Sequence, residues 1–378
     1  MEKFISYGKQ FIDKEDIAAV VDVLKGDWLT TGPLTEKFEK EVAKYCGVDF
    51  AVAVSSGTAA LDIAIQTLNL PKGSEIITTP LTFIATINSI LFNNLNPVLA
   101  DIDSKTYNLS PESIRSKITE KTKAILYVDY AGQPCNIDQI KEIAKENNLF
   151  IIEDAAQAFG AEYNGQKIGG FADMTIFSFH PVKHITTGEG GMVLTNNAEY
   201  FKKLRCLRNH GINKELLERL GPQADWGYDI TDLARNYRIT DVQCALGLSQ
   251  LKKSEDFLQR REQIAQKYFD ELKDITEITL PYIQKNLRTS WHLFPILINN
   301  YNRDIFFRKM KEKKIGVNIH HIPPYRFTYH QRFGWKAEDL PITEKIFQST
   351  ITLPIHPSLS INEQEYIIKT VKEILSNK

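Results

Sequence analysis

Cysteine is scarce in this chain. Cys46, Cys135, Cys206 and Cys244 are scattered, with no C-x-x-C pair or other metal-ligand spacing. That pattern argues against a disulfide framework and a bound metal, and for buried thiols in a reducing compartment. An excess of one charge is also missing, since 46 basic residues face 47 acidic ones and leave a formal net charge of -1. No electrostatic case exists for a nucleic-acid or other polyanionic partner, and small metabolites fit better. Long hydrophobic runs are absent, and the opening MEKFISYGKQFIDKED holds no apolar core of signal-peptide length. The expectation is a cytoplasmic protein without a membrane partner. Internal repeats and low-complexity segments are lacking as well, so essentially the whole chain is expected to fold.

What remains is an ordinary globular mix, 43% hydrophobic and 25% charged, over 378 residues, enough for two or three domains with a large core. Asp13 and Asp16 open a helix on which Ile17, Val20, Val21 and Leu24 recur at helical spacing, and a second helix follows Gly32-Pro33 with Phe38, Val42 and Tyr45 on one face. Short apolar runs then alternate with helical segments: FAVAV (50–54), EIITT (75–79), NPVLADI (96–102), KAILYVDY (123–130), LFIIED (149–154), MTIFSF (174–179) and GMVLT (191–195). Strands without polar alternation, separated by helices, predict an α/β fold: a three-layer large domain with a mainly parallel sheet. Ser249 to Thr276 reads as long, charged helix. The remainder is α+β in character, with a strand in WHLFPILI (291–298), a helix from about Arg303, a strand near IGVNIHH and a final helix from Asn362. Pro295 predicts an edge strand. The expected division is a large domain over 1–250, with its N-terminal helical segment, and a small C-terminal domain over 251–378.

Three places carry residues suited to chemistry. SSGTAALDIAIQTL (55–68) runs from a strand end into a helix, where free N–H groups and the dipole make an anion site and glycine allows close approach, although an ordinary capped turn has the same pattern. LFIIEDAAQAFGA places Asp154 at a strand's carboxyl end, where open α/β sheets bind ligands. It is either a helix cap or a carboxylate that keeps a heteroaromatic nitrogen protonated, as pyridoxal phosphate requires. FSFHPVKHITTGEGGMVLT (177–195) rises to Lys183 and drops into glycines. A desolvated lysine is a nucleophile toward carbonyls, whereas a lone surface lysine merely covers apolar neighbours with its stem. Ser178, five positions earlier, is a further phosphate candidate. Phosphate site, carboxylate and lysine in that order are what pyridoxal phosphate enzymes of the aspartate aminotransferase fold would show. A nicotinamide-dependent oxidoreductase is the rival from another class, and no G-x-G-x-x-G follows the first strand.

Gly57-Thr58, EDAAQAFGA (153–161), SFHPVKHITTGEGG (178–191) and RNYRITDVQCALGLSQL (235–251), with GDWLTTGPLTEKFEKE and LPIHPSLS, together resemble the DegT/DnrJ/EryC1/StrS family of sugar-nucleotide aminotransferases. The resemblance implies an aspartate aminotransferase-like fold (fold type I) and pyridoxal 5'-phosphate bound covalently at Lys183. It implies that Gly57, Thr58 and Ser178 bind the phosphate, with Asn236 of a neighbouring subunit completing that site in a homodimer. Phe83 would stack on the ring, with a plain core aromatic as the alternative. Asp154 would pair with the ring nitrogen, and Gln157 would face the ring's hydroxyl side. Family members with histidine in place of the lysine are dehydratases; here Lys183 holds the motif position and His184 only follows it, which implies aminotransfer. A protein that keeps the cofactor without turnover is the remaining rival.

Within the family, VDYAGQP (128–134), the lysine motif and ALGLSQLKK look most similar to members acting in pseudaminic acid synthesis. These use glutamate as donor and a UDP-linked 4-keto-6-deoxy-L-sugar with a 2-acetamido group as acceptor, at C4. The substrate-facing positions would be Tyr7, Thr30 and Asn318-Ile319-His320-His321. His321 stands where a tyrosine is expected and Gln10 where many relatives carry proline, which leaves dTDP-, GDP- or D-configured UDP-sugars open. His320 and His356 are also readable as structural histidines.

Overall fold

The computed structural model describes residues 4–213 and 228–376. Helix α1 (Lys14–Leu24) starts where the sequence predicts, in a capping box in which the Asp13 side chain and the Asp16 side chain satisfy each other's backbone N–H. Its apolar stripe, however, faces out: Ile17 and Leu24 are exposed, as are Trp28 and Leu29 beyond them, while Asp16 is buried. Asp16 is buried because Gln250 donates to it at 2.7 Å and Lys253 pairs with it at 2.8 Å. Helix α2 (Pro33–Cys46) begins at a proline, and its N-cap Gly32 offers no side chain. Asp241 supplies the missing acceptor from far along the chain, taking the N–H groups of Gly32 at 2.8 Å and Leu34 at 2.9 Å.

The main sheet contains β1 (Phe50–Val54), β2 (Glu75–Thr78), β3 (Asn96–Leu99), β4 (Thr122–Val128) and β5 (Phe150–Asp154). After the two-residue strands β6 (Glu162–Tyr163) and β7 (Gln166–Lys167) it is completed by β8 (Met174–Ser178) and β9 (Gly191–Thr195). Its order is β1-β9-β8-β5-β4-β2-β3, and β9 alone runs against the others. Helices α3 (Gly57–Thr67), α4 (Ala85–Phe92), α5 (Pro111–Lys117), α6 (Ile137–Asn147) and α7 (Ala198–Arg208) connect and cover these strands, with α8 (Asp241–Leu251) packed beside α2. Alternate residues of one strand enter different cores. Val52 and Val54 pack with α3, whereas Ala51 and Ala53 pack with α2 and α6. This is the three-layer arrangement that uninterrupted apolar strands predict.

The expected long helix from Ser249 is in fact two, α8 and α9 (Ser254–Leu272), broken at Lys252-Lys253, where the Lys253 amine reaches Asp13 and Asp16. A second core joins α9, α10 (Arg303–Glu312), α12 (Ile361–Ser376) and a three-stranded sheet of β12 (Ile278–Thr279), β14 (Phe294–Ile298) and β15 (Thr350–Leu353); Ile5 from the N-terminal segment enters it too. Helix α11 (Pro341–Ser349) leads into β15, and the short strands β10 (Ile212–Asn213), β11 (Asp229–Ile230) and β13 (Leu287–Arg288) lie in small ribbons. Two expectations are corrected here. The Pro295 strand is central, not an edge: Pro295 faces Thr352 of β15, and β12 reaches only Leu297 and Ile298, so the proline's missing N–H disrupts no ladder on that flank. IGVNIHH forms no strand, only single bridges of Ile315 to Ile5 and Asn318 to Thr352, and its last residues are tied instead to the large domain, His320 to Tyr130 and His321 to Gln157.

The antiparallel β9 lies close against the start of α3. A Cβ on Gly191 would meet the Ser56 carbonyl oxygen at 2.4 Å and the Gly57 nitrogen at 2.7 Å, both backbone atoms that cannot swing aside. Gly191→Ala is therefore expected to cost about 1–3 kcal/mol. The control Gly26→Ala, whose nearest neighbour would lie at 3.5 Å, should stay within about 0.5 kcal/mol of the parent. Urea denaturation midpoints check both.

Candidate active site

The catalytically suited residues collect at the carboxyl ends of β1, β2, β5 and β8, the edge at which open α/β sheets bind ligands. Ser56 caps α3 by accepting from the Ala59 N–H at 3.1 Å. Gly57 then opens the helix so close to Ser178 that a Cβ would lie 3.0 Å from the serine Cβ and 3.2 Å from its Oγ. Gly57, the exposed Thr58 and the half-buried Ser178 thus converge on one helix start, where unpaired N–H groups and the dipole favour a phosphate.

Asp154 ends β5 and is buried. Its Oδ2 accepts from the Thr86 hydroxyl at 2.8 Å and its Oδ1 from the Ala156 N–H at 3.2 Å. Thr86 is in turn 2.7 Å from Thr82. Burial pushes the carboxyl above its ordinary value, against the lowering effect of Thr86, Ala156 and the Lys183 charge. The helix-cap alternative does not describe these contacts, since among the described residues the helices on either side of Asp154 in the chain have Asn136 and Asn197 as their N-caps. Phe83 is 62% exposed, which rules out a core role, and its ring meets His321 edge-on with centroids 6.2 Å apart.

Lys183 lies on the 179–190 turn that reverses β8 into β9, with its N–H bonded to the His180 carbonyl at 2.9 Å. It is half-buried, and its Nζ stands 3.5 Å from His292 Nε2. Burial is the main cause that brings its ammonium down to about 8; Asp154 opposes this and Arg261 adds to it. An exposed lysine covering apolar neighbours would show none of this.

Gln157 is held with its Oε1 accepting from the Ala131 N–H at 2.8 Å and its Nε2 at 3.1 Å from His321 Nε2. His320 lies against Tyr7, with ring centroids 5.3 Å apart, is bonded at Nδ1 to Thr352 at 2.9 Å, and accepts the Tyr130 hydroxyl at its carbonyl at 2.7 Å. Burial drives His321 well below its ordinary value and His320 down to about 3, with Lys183 adding to both. Two expected residues stand apart from this group. Thr30 is exposed and bridges Thr240, the N-cap of α8. Asn236 is exposed, accepts from the Arg238 N–H at 3.2 Å, and precedes Tyr237, whose carbonyl takes the Ser55 N–H. Sequence reasoning passed over Thr86, His292 and Arg261. A histidine inside the apolar run SWHLFPILI was the available signal for His292; nothing local marks the other two.

These residues fit pyridoxal phosphate. The helix start suits its phosphate, and Asp154 is a buried carboxylate whose only hydrogen-bond partners among the described residues are a hydroxyl and an amide. Phe83 offers an open aromatic face, and Lys183 an ammonium brought down to about 8, from which the free amine is reached far more readily than from an ordinary lysine. Comparison with known proteins agrees. Over 98% of this chain and 97% of the other, the sequence is 35% identical to the UDP-4-amino-4,6-dideoxy-N-acetyl-beta-L-altrosamine transaminase of Campylobacter jejuni. Helicobacter pylori PseC, an aminotransferase involved in the biosynthesis of pseudoaminic acid, superimposes with a TM-score of 0.94 at 32% identity, covering 100% of both chains. The Streptococcus pneumoniae chain Spr1654, solved in its PLP form, superimposes with a TM-score of 0.92 at 30% identity over 99% of each chain. The model of the DegT/DnrJ/EryC1/StrS aminotransferase family matches residues 10–372. The chain therefore belongs to that family and is a pyridoxal-phosphate-dependent sugar aminotransferase.

Proposed function

We propose that this enzyme passes the amino group of glutamate to C4 of a UDP-linked 4-keto-6-deoxy-L-sugar carrying a 2-acetamido group, a step of pseudaminic acid formation. The observation that carries the reading is the Lys183 amine, brought down to about 8 and placed at the edge that also holds Asp154, Gly57 and Ser178. The choice of sugar rests on the full-length likeness to the Campylobacter transaminase. Bound pyridoxal phosphate supplies the electron sink that lets an amino group pass between two carbonyl compounds. Gly57, Thr58 and Ser178 would take its phosphate, with Asn236 contributed by a partner subunit. Phe83 would cover one face of the ring. Asp154, held in aim by Thr86 and Ala156, would accept the ring N–H, and Gln157 would face the ring's hydroxyl side. Lys183 takes and returns the proton at the reacting carbon. Tyr7, Thr30, His320 and His321 face the sugar.

A homodimer is part of this proposal. Its support is the outward apolar row of Ile17, Leu24, Trp28 and Leu29, which the described residues leave uncovered. The cytoplasm is the proposed location, in keeping with four cysteines that are all free. Among the described residues no helix is long and apolar enough to cross a membrane. A second reading, the same transfer on another nucleotide sugar, has one observation in its favour: His321, at the position where a tyrosine is expected, is tied to Gln157.

The visible absorbance of the purified enzyme tests the reading. Glutamate should bleach the cofactor band and the UDP-linked 4-keto sugar should restore it; restoration by a dTDP- or GDP-sugar instead would transfer the assignment to the second reading. Lys183→Ala should fold but lose turnover, and Asp154→Ala should lose about 10²-fold or more in kcat, as expected when a preorganised charge is removed. Light scattering should give twice the 43.2 kDa chain mass.

A further inference from the structure

His292 enters none of the roles above, yet it is the one hydrogen-bond partner of the Lys183 amine among the described residues, Nε2 to Nζ at 3.5 Å. We propose that His292 is a positioning residue for transamination, receiving and orienting the Lys183 amine whenever that amine is not covalently engaged. The inference rests on Lys183 being the reacting amine.

Four features support it. The imidazole is only 7% exposed, and its Nδ1 has no partner, so the ring is buried without the hydrogen bonds that would justify a purely structural histidine. Its backbone is pinned from two sides. Arg261 Nη1 donates to the carbonyls of Trp291 at 3.0 Å, His292 at 3.4 Å and Ile355 at 2.9 Å. On the other side Gly132 approaches so closely that a Cβ there would lie 3.0 Å from the His292 nitrogen. The His184 ring packs beside it at 5.6 Å between centroids, and His184 is itself tied to the Ser290 carbonyl at 3.1 Å. These contacts leave the His292 ring little freedom to turn from the lysine.

Burial and neighbouring charge keep the ring neutral. Arg261 is 1% exposed, has no carboxylate partner among the described residues, and leaves Nε and Nη2 unpaired. Burial chiefly, then Lys183, His184, Arg261 and His320, drive His292 far below its ordinary value. The ring is neutral, so Nε2 is free to accept an N–H from the lysine. The groups facing Lys183 are Asp154 from β5, His184 from its own turn, Arg261 from α9, His292, and His320 and His321 from the segment before Ile322. Of these, His292 alone touches the amine. A neutral acceptor stabilises the ammonium through its N–H and gives the free amine a fixed direction.

The apoenzyme provides a test independent of turnover. Labelling of the Lys183 peptide by trinitrobenzenesulfonate, mapped by mass spectrometry against pH, should reach its half-point near pH 8 in the parent. In His292→Phe the ammonium loses its acceptor, and the half-point should fall by about half to one pH unit. The holoenzyme should lose about tenfold in kcat, with KM for glutamate nearly unchanged. His292→Gln, which keeps an acceptor, should recover most of both. If His292→Phe fails to fold, His292→Asn, too short to reach the amine, is read in its place. An unchanged half-point and kcat in the Phe or Asn variant overturns the proposal, as does a Gln variant impaired as severely as Phe, which would mean a packing role. Lys183→Ala separates the two levels: turnover there brings down the proposed function, whereas an inactive Lys183→Ala beside a normal His292→Phe brings down only this inference.

Discussion

A carboxylate buried without a cation in hydrogen-bond contact is the constraint on which the site turns. Asp154 has a hydroxyl and an amide for company, and burial alone would favour its protonated form. Such a group is costly for the apoprotein, since an ionised carboxylate away from water demands a partner. In the function proposed above, a protonated ring nitrogen would be that partner. Thr82 and Thr86 belong to this arrangement, because they hold the carboxylate in direction while it waits.

The second constraint is distance. For the end of β8 to lie against the start of α3, side chains must be absent at Gly57 and Gly191, and the backbone there is already at contact. The N-terminal segment is brought under the same edge by long-range carboxylates: Asp241 caps α2, and Asp16 anchors α1 to Gln250 and Lys253. The ties of Asp16 explain how α1, which buries no apolar side chain, keeps a fixed position.

Around the lysine the chain builds an unusual electrostatic setting. His184, His292, His320 and His321 are all held far below their ordinary values by burial, so they surround Lys183 as neutral rings. The charged neighbours are then Asp154, which favours the ammonium, and Arg261, which opposes it. Their opposition, added to desolvation, leaves the amine able to change protonation near neutral pH, as a group that must both bind a carbonyl and carry a proton requires.

Much of this was legible in one dimension. LFIIED placed Asp154 at a strand end, Ser-Gly-Thr marked the start of α3, and the capping residues Asp13 and Pro33 marked α1 and α2, because caps and apolar periodicity act within a few residues. Resemblance of motifs, not periodicity, led to the cofactor and to Phe83. By contrast, the direction of β9, the central place of Pro295, the outward stripe of α1 and the pairing of His292 with Lys183 depend on what lies across a space from each residue. The sequence by itself determined the seven strands of the main sheet, the starts of α1, α2 and α3, and the residue types Lys183 and Asp154 that suit the chemistry. Only the tertiary structure decided which groups surround that lysine, because desolvation and charge act through space and are blind to chain order.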